Sequence, residues 1–472
     1  MSEYTSLWVD EITSMYDKGT YDKEDSSKSV SIHRAPKFLK DLNEAAYIPR
    51  VVPLGLFHHR PTESPSEMDR RKMGAVLRMK KRLPLEKQQQ FLHLFNDSFN
   101  SFIKSCYEED IETENSFISW TCLLDGWFML EILGVLDPAA ENILDPVYNP
   151  NRIKSCQFDI LCDFFILENQ IPIDILVQLL KMEHADAPKK LYTMLLDTTT
   201  IIHPFLPKRF PEQEKPEWNE AKDGNLHEYK HILGVFHSFV SGESKPPKQP
   251  HTSRAAKKWK KWMTWSQKGQ EENEEQQQFL ESFITASASE LFSSGLRFKS
   301  YYGIPSNEKI TLRKQGATLT LPTLFITDTS EMIFRNLMAF EVFQADGHKE
   351  ISYYVLLMNE LIEEEKDVAV LRRAGVIQSS MGTDSQVATL LNGLCKGLNL
   401  QDLKEDPYIQ IKMTLNKWYS SLPLVKLNLY LQQHPKLLKN IALFWAVALV
   451  IASASSSLYP LYQRYLTNAP NH

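Results

Sequence analysis

Apolar positions recur three and four residues apart through most of this chain, the spacing that keeps one face of a helix buried. The pattern starts in MDRRKMGAVLRMKKRL from Met68 and continues in LEKQQQFLHLFNDSFNSFIKSCY, where Phe91, Leu94, Phe95, Phe99, Phe102 and Ile103 form a stripe. Both segments predict amphipathic helices. SFISWTCLLDGWFMLEILGVL and CQFDILCDFFILENQIPIDILVQLLKM are apolar nearly all round and predict core helices. Asp125 and Glu131 interrupt the first, and Asp159, Asp163 and Glu168 the second, before either reaches the length of a membrane span. Later segments predict more helices: LHEYKHILGVFHSFV, SEMIFRNLMAFEVFQ, YYVLLMNELIEEEKDVAVLRRAG, SQVATLLNGLC, and a long one through Leu415 to Leu431.

Strict alternation appears in IPSNEKITLRKQGATLTLPTLFI, where β-branched and polar residues flank Gln315-Gly316 and predict a hairpin. The fold class is therefore mainly α, with a small antiparallel β element near 296–327. Near the end, Asn440 to Gln463 holds no charged residue and is bracketed by Lys439 and Arg464. At about 1.5 Å rise per residue, a helix of this length crosses a bilayer core of about 30 Å. The strongly apolar part, Ile441 to Ala454, is shorter, so a buried core helix competes. Trp445, Tyr459 and Tyr462 suit membrane interfaces, and Ser455 to Ser457 can bond to their own helix, which favours a single transmembrane helix over 440–463.

The organisation that follows is a disordered acidic tail over 1–28 and a helical domain over 29–435 with a mobile linker at about 241–275. The span at 440–463 and a short tail at 464–472 complete it. At 472 residues with 43% hydrophobic composition, the chain is long enough to bury a sizeable core. A net charge of -6 argues against a general nucleic-acid binder, which usually carries a basic excess. MSEYTSLWVDEITSMYDKGT lacks the basic start and apolar run of a signal peptide, so the expected topology is tail-anchored. Lys426, Lys436 and Lys439 before the span, against Arg464 after it, lean toward a cytosolic large domain. The five cysteines form no C-x-x-C pair and sit mostly in apolar contexts, which predicts buried reduced thiols.

Candidate chemistry is concentrated in one motif. His227, Glu228, His231, Gly234 and His237 spell H-E-x-x-H-x-x-G-x-x-H, the pattern of metzincin zinc proteases. Histidines four apart on a helix can share a zinc ion, with Glu228 polarising the metal-bound water as base. The surroundings oppose that chemistry: Tyr229, Ile232, Leu233, Phe236 and Val240 keep a helical period through Gly234, and no sheet precedes the motif. In an unbroken helix His237 lies about 240° round from His231 and cannot complete a site. Packing histidines are the alternative. The acids Asp163 and Glu168 predict a polar network and not a catalytic pair, with Glu168, Asn169 and Gln170 binding backbone and basic groups near Pro172. The basic, Trp-bearing segment 254–265 suits either an anionic membrane surface or a solvated helix.

The motifs in order resemble the plant family known as domain of unknown function 247. SIHRAPKFLKDLNEAAYIPRVVPLGLFHH is similar to its opening, LCDFFILENQIPIDIL to its L-E-N-Q-I-P signature, and LTLPTLFITDTSEMIFRNLMAFE to its R-N-L-x-A-F-E segment. HILGVFHSF, ASELFSSGLRFK and the terminal apolar helix follow in the family's order. The opening departs from the pattern at Ala35, Pro53 and Leu56. The resemblance marks Glu168, Asn169, Gln170, Pro172, Arg335, Asn336 and Glu341 as structural motif residues and carries over no catalytic residue or cofactor. It implies a membrane-associated plant protein, with some members linked to reproductive recognition such as self-incompatibility.

Two functions are thus expected from different classes. The first is a membrane-anchored, non-enzymatic recognition or signalling protein that meets lipid through 440–463 and an unidentified protein through its body, in a membrane such as the plasma membrane. The second is a zinc metallopeptidase built on His227, His231 and His237.

Overall fold

The computed structural model describes residues 30–59, 65–88, 97–108, 111, 113–135, 158–205, 226–242, 283–305, 308–313, 317–344, 349–396, 406–423, 425–427 and 435–467. The acidic tail 1–28, nearly all of the expected linker, the basic segment 254–265 and Phe91, Leu94 and Phe95 lie outside them.

The chain enters as an extended segment, with Ile32 bridged to Tyr107, then forms short α1 (Lys37–Lys40) and α2 (Gly55–His58). Amphipathic α3 (Glu67–Arg82) follows, opened by a capping box in which Ser66 and Asp69 satisfy each other's backbone N–H groups. It buries Ala75, Val76 and Met79 on the face turned to α5 (Asn115–Val135), with α4 (Asp97–Ser105) packed alongside. Helix α5 buries Cys122, Leu123, Trp127, Phe128, Met129, Ile132 and Leu133. Each such side chain stabilises the fold by about 1.5 to 3 kcal/mol, and this burial explains an apolar helix with almost no polar face.

The second predicted core helix divides. Residues 158–163 are helical, residues 164–172 run as a buried non-helical turn, and α6 (Ile173–Lys181) restarts after Pro172. Pro172 accounts for the restart: it disfavours helix in the residue before it, yet fits a helix start as the N-cap of α6. Helices α7 (Ala187–Ile202), α8 (Ile232–Ser241) and α9 (Ala288–Ser293) extend the body.

The β region contains the hairpin read around Gln315-Gly316, as β2 (Thr311–Arg313) antiparallel to β3 (Thr318–Pro322). Two parallel pairings were not legible in the sequence: β1 (Arg297–Tyr301) with β3, and β4 (Leu324–Ile326) with β5 (Ile377–Ser379). Both join strands distant in the chain, where local alternation carries no information about the partner.

Beyond the sheet, α10 (Ser330–Val342), α11 (Glu350–Leu361), α12 (Glu365–Arg373) and α13 (Asp384–Leu394) close one continuous core. The long helix expected through Leu431 is interrupted after α14 (Ile409–Ser421), where Leu422 turns extended before Pro423; residues 423 and 425–427 are helical again, and 428–431 lie outside the described residues. Helix α15 (Pro435–Thr467) outlasts the predicted span at both ends. Among the described residues two helices are long and apolar enough to cross a membrane, and burial separates them. Asn115–Gly134, with a mean hydropathy of 1.3, is 67% buried; Leu443–Pro460, at 1.5, is 0% buried. In α15 the Oγ of Ser453, Ser455, Ser456 and Ser457 donates to carbonyls of its own helix, so these serines present little unsatisfied polarity. Among the described cysteines, Cys106, Cys122, Cys162 and Cys395 are free thiols.

Candidate functional site

The non-helical turn after residue 163 has its own backbone groups to satisfy, and its polar side chains also reach distant parts of the chain. Glu168 is 2% exposed; its carboxylate accepts from Ala35 N–H at 2.8 Å and pairs with Arg34 at 3.2 Å and Lys40 at 2.6 Å. Asn169 accepts from Leu54 N–H at 2.6 Å and donates to the carbonyls of Val52 and Asp163, each at 2.9 Å. Gln170 donates to the carbonyls of Phe164 and Ile166 and accepts from Leu233 N–H at 3.2 Å. The Asp163 carboxylate takes the N–H groups of Arg50, Val51 and Val52 at 2.7 to 2.8 Å. One buried turn thus holds the opening segment against α6 and α8.

The second motif meets the first. Asn336 on α10 accepts from Leu167 N–H at 2.8 Å and donates to the Ala46 carbonyl at 2.8 Å. Arg335 bonds Glu331 at 2.8 Å and the Gly393 carbonyl at 3.2 Å. A second buried ion pair, Lys72 to Asp125 at 2.6 Å, fixes α3 on α5. Burial opposes the charge on Asp125, but Lys72 and His59 prevail and hold its carboxyl below the usual range.

The structure does not assemble the three-histidine zinc site among its described side chains. His227 and Glu228 lie in a 3-10 turn, Leu226–Glu228, ahead of α8 and not on it; Glu228 is exposed, and the His227 side chain lies outside the description. His231 is the N-cap of α8: its Nδ1 accepts from Gly234 N–H at 3.3 Å, and its Nε2 donates to the Ser31 carbonyl at 3.1 Å. Both ring nitrogens are committed to backbone, leaving no lone pair for a metal. Burial pushes its pKa down to about 3.

His237 belongs to a different group. Its Nε2 lies 2.9 Å from Glu341 Oε1, and both side chains are 1% exposed. Glu341 also accepts from the N–H groups of Ile351 and Ser352, each at 2.9 Å, and from the Ser352 hydroxyl at 2.5 Å. These donors sit in the first turn of α11, where a carboxylate meets the positive end of the helix dipole. Glu350 completes the group: one ligand-type atom from each of His237, Glu341 and Glu350 lies within 4.8 Å of the others. The family resemblance marks Glu341 as a motif residue and the alternative zinc reading names His237, but nothing in the sequence shows that they meet, because 104 positions separate them.

A surface pocket of about 710 Å³ opens over the opening segment and is lined by Arg34, Lys37, Lys40, Asp41, Asn43 and Glu44, among others. In the same stretch Phe38, Leu42 and Ile48 are 47%, 38% and 48% exposed.

Comparison with known proteins agrees with the motif order. The family model described as a plant protein of unknown function, domain of unknown function 247, matches residues 32–452. A putative UPF0481 protein of Arabidopsis thaliana is 22% identical over 96% of this chain and 94% of its own length. A second UPF0481 protein of the same plant is 21% identical over 84% of this chain and 79% of its own. No solved structure matches the chain.

Proposed function

The chain belongs to the plant family of domain of unknown function 247, and from that premise we propose that it is a membrane-tethered, non-enzymatic recognition protein. One observation carries this reading: the apolar window Leu443–Pro460 is 0% buried, whereas the comparable window in α5 is mostly enclosed by protein. An 18-residue window of mostly apolar and small residues with none of them buried is costly in water and stable in lipid. The tether concentrates the helical body beside one membrane, which raises its effective concentration for partners at that surface. The body faces the cytosol, and the plasma membrane is the proposed location.

Recognition fits the body better than catalysis. The polar side chains around Glu168, Asn169 and Asn336 are sealed and hydrogen-bonded to backbone, as in a structural network, and His231 has no nitrogen to give to zinc. The partner surface proposed is the opening segment, where the pocket and the exposed Phe38, Leu42 and Ile48 lie close in sequence. A role in reproductive recognition such as self-incompatibility is the proposed biological setting. Proximity labelling from the full-length protein in plant cells, followed by a pull-down with residues 1–435, tests the reading. It expects a membrane-resident partner whose capture drops on Phe38→Ala and Ile48→Ala; capture unchanged by both variants would move the partner surface elsewhere.

A further inference from the structure

We propose that the exposed side of the end of α14 and the turn after it, with Lys417, Lys426 and Leu427, docks on anionic phospholipid headgroups of the leaflet that α15 enters. The inference rests on the tethered, cytosol-facing reading above and adds to it a second, electrostatic contact that holds one face of the body against the membrane. Charge carries the argument. From Pro407 to His472 the chain holds no aspartate or glutamate, although the whole sequence has 59, and Lys412, Lys417, Lys426, Lys436 and Lys439 all precede the apolar window in that stretch. Lys412 serves the fold: it is buried and binds Glu360 at 2.6 Å and Asp406 at 2.8 Å. Lys417 and Lys426 are exposed, and among the described residues neither has a carboxylate partner.

The fold aims this side outward. Lys412 and Leu415 are buried, and the Asn416 amide donates to the Phe283 carbonyl and accepts from Thr285 N–H, which leaves Gln410, Lys417, Ser420 and Ser421 exposed along α14. Covalent reach then keeps it near lipid. Seven residues separate Leu427 from Pro435, where α15 begins, and at no more than about 3.6 Å per step they span at most about 29 Å. Along α15, Lys439 precedes Leu443 by four residues, about 6 Å of rise, which sets it at headgroup level when Leu443–Pro460 fills the hydrocarbon core. A face with lysines and no acid, fastened beside a bilayer, fits anionic headgroups, which attract basic juxtamembrane segments. Leu427, 54% exposed, and the half-buried Trp418 and Tyr419 supply apolar and aromatic surface suited to the interface. Neighbouring elements leave the surplus standing: β2, on which α14 packs, brings exposed Arg313, and α9 brings the acid Glu290, whose charge is felt at Tyr419.

The test places full-length protein in nanodiscs of phosphatidylcholine, alone or with about one-third phosphatidylserine, and acetylates lysines with limiting reagent for mass spectrometry. Lys417 and Lys426 should react about 5-fold more slowly in the anionic discs, and high salt should abolish the difference. Exposed Lys80 and Lys181, on α3 and α6, should react alike in both. Hydrogen exchange of the 409–427 backbone gives a second measure: phosphatidylserine should slow it in the parent and leave it unchanged in the Lys417→Gln, Lys426→Gln double variant. Both side chains are on the surface, so that variant should keep the parent's thermal midpoint in detergent. Equal lysine reactivity in the two compositions, or protection that survives high salt as a covering protein would give, overturns the docking while the tether stands. Protein that enters discs of neither composition overturns the tether and the docking together.

Discussion

Asn336 Oδ1 accepts a 2.8 Å hydrogen bond from Leu167 N–H, joining two motifs that stand 169 positions apart. Its Nδ2 holds the Ala46 carbonyl at 2.8 Å, so one fully buried amide ties α10, the turn before α6 and the opening segment together.

Asn336→Ala should therefore destabilise the protein by about 3 kcal/mol or more, because it strands a buried N–H and a buried carbonyl at roughly 1 to 3 kcal/mol each. Asn336→Asp keeps the shape but loses both donors and adds a buried charge, so it should cost at least as much. Urea unfolding followed by circular dichroism measures both. A loss under about 1 kcal/mol would remove Asn336 from its central place in the network.

The Lys72–Asp125 pair gives a second expectation. Both side chains are 0% exposed and 2.6 Å apart, and Lys72 also donates to the Pro53 carbonyl. Lys72→Met takes the lysine charge from a buried Asp125 that keeps the Gly55 N–H and His59, and should cost about 3 kcal/mol, whereas Lys72→Met combined with Asp125→Leu should cost less than the single change. The double-mutant cycle in urea reads the difference.

Gly55 sits at φ +64°, a left-handed conformation that suits glycine. A Cβ there would also run into the Gln170 backbone carbonyl and the Tyr107 hydroxyl. Gly55→Ala should lower the thermal midpoint by several degrees, while Gly295→Ala, where φ is +103° but nothing lies within 4 Å, should lower it less. Differential scanning fluorimetry of the two variants compares steric conflict with backbone strain alone.

Burial pushes the pKa of His203 down to about 4 and that of His231 to about 3. Their neutral forms are the folded forms, so the unfolded chain binds more protons once the pH drops below about 6.5. Their contribution is complete above that value and is lost as the pH falls toward 4, on the order of 2 kcal/mol each by pH 5. Urea midpoints should fall between pH 7.5 and pH 5. His231→Asn, which preserves an oxygen acceptor at the N-cap, should flatten that dependence.

Local features were legible in the sequence and distant pairings were not. The stripe in α3, the all-round apolarity of α5, the hairpin at Gln315-Gly316 and the terminal apolar helix follow from spacing alone, because each is fixed by residues close in the chain. Glu168, Asn169 and Gln170 were readable as backbone and cation binders near Pro172, but Arg34, Leu54 and Leu233 could not be named as their partners. The buried turn reads as helix in the sequence because Phe164, Phe165, Ile166 and Leu167 are as apolar as a helix core; side-chain bonds to backbone replace the helical ladder there. The zinc motif misled for a related reason. H-E-x-x-H implies one helix only if the helix starts before His227, and it starts at Ile232 with His231 as its cap.

Alkaline carbonate extraction of plant membranes containing the full-length protein bears most directly on the tether. Retention in the pellet, with release to the supernatant when residues 436–472 are removed, is the expected result. A full-length protein that washes off entirely would mean that Leu443–Pro460 meets protein or water instead of lipid, and the tethered reading would fail.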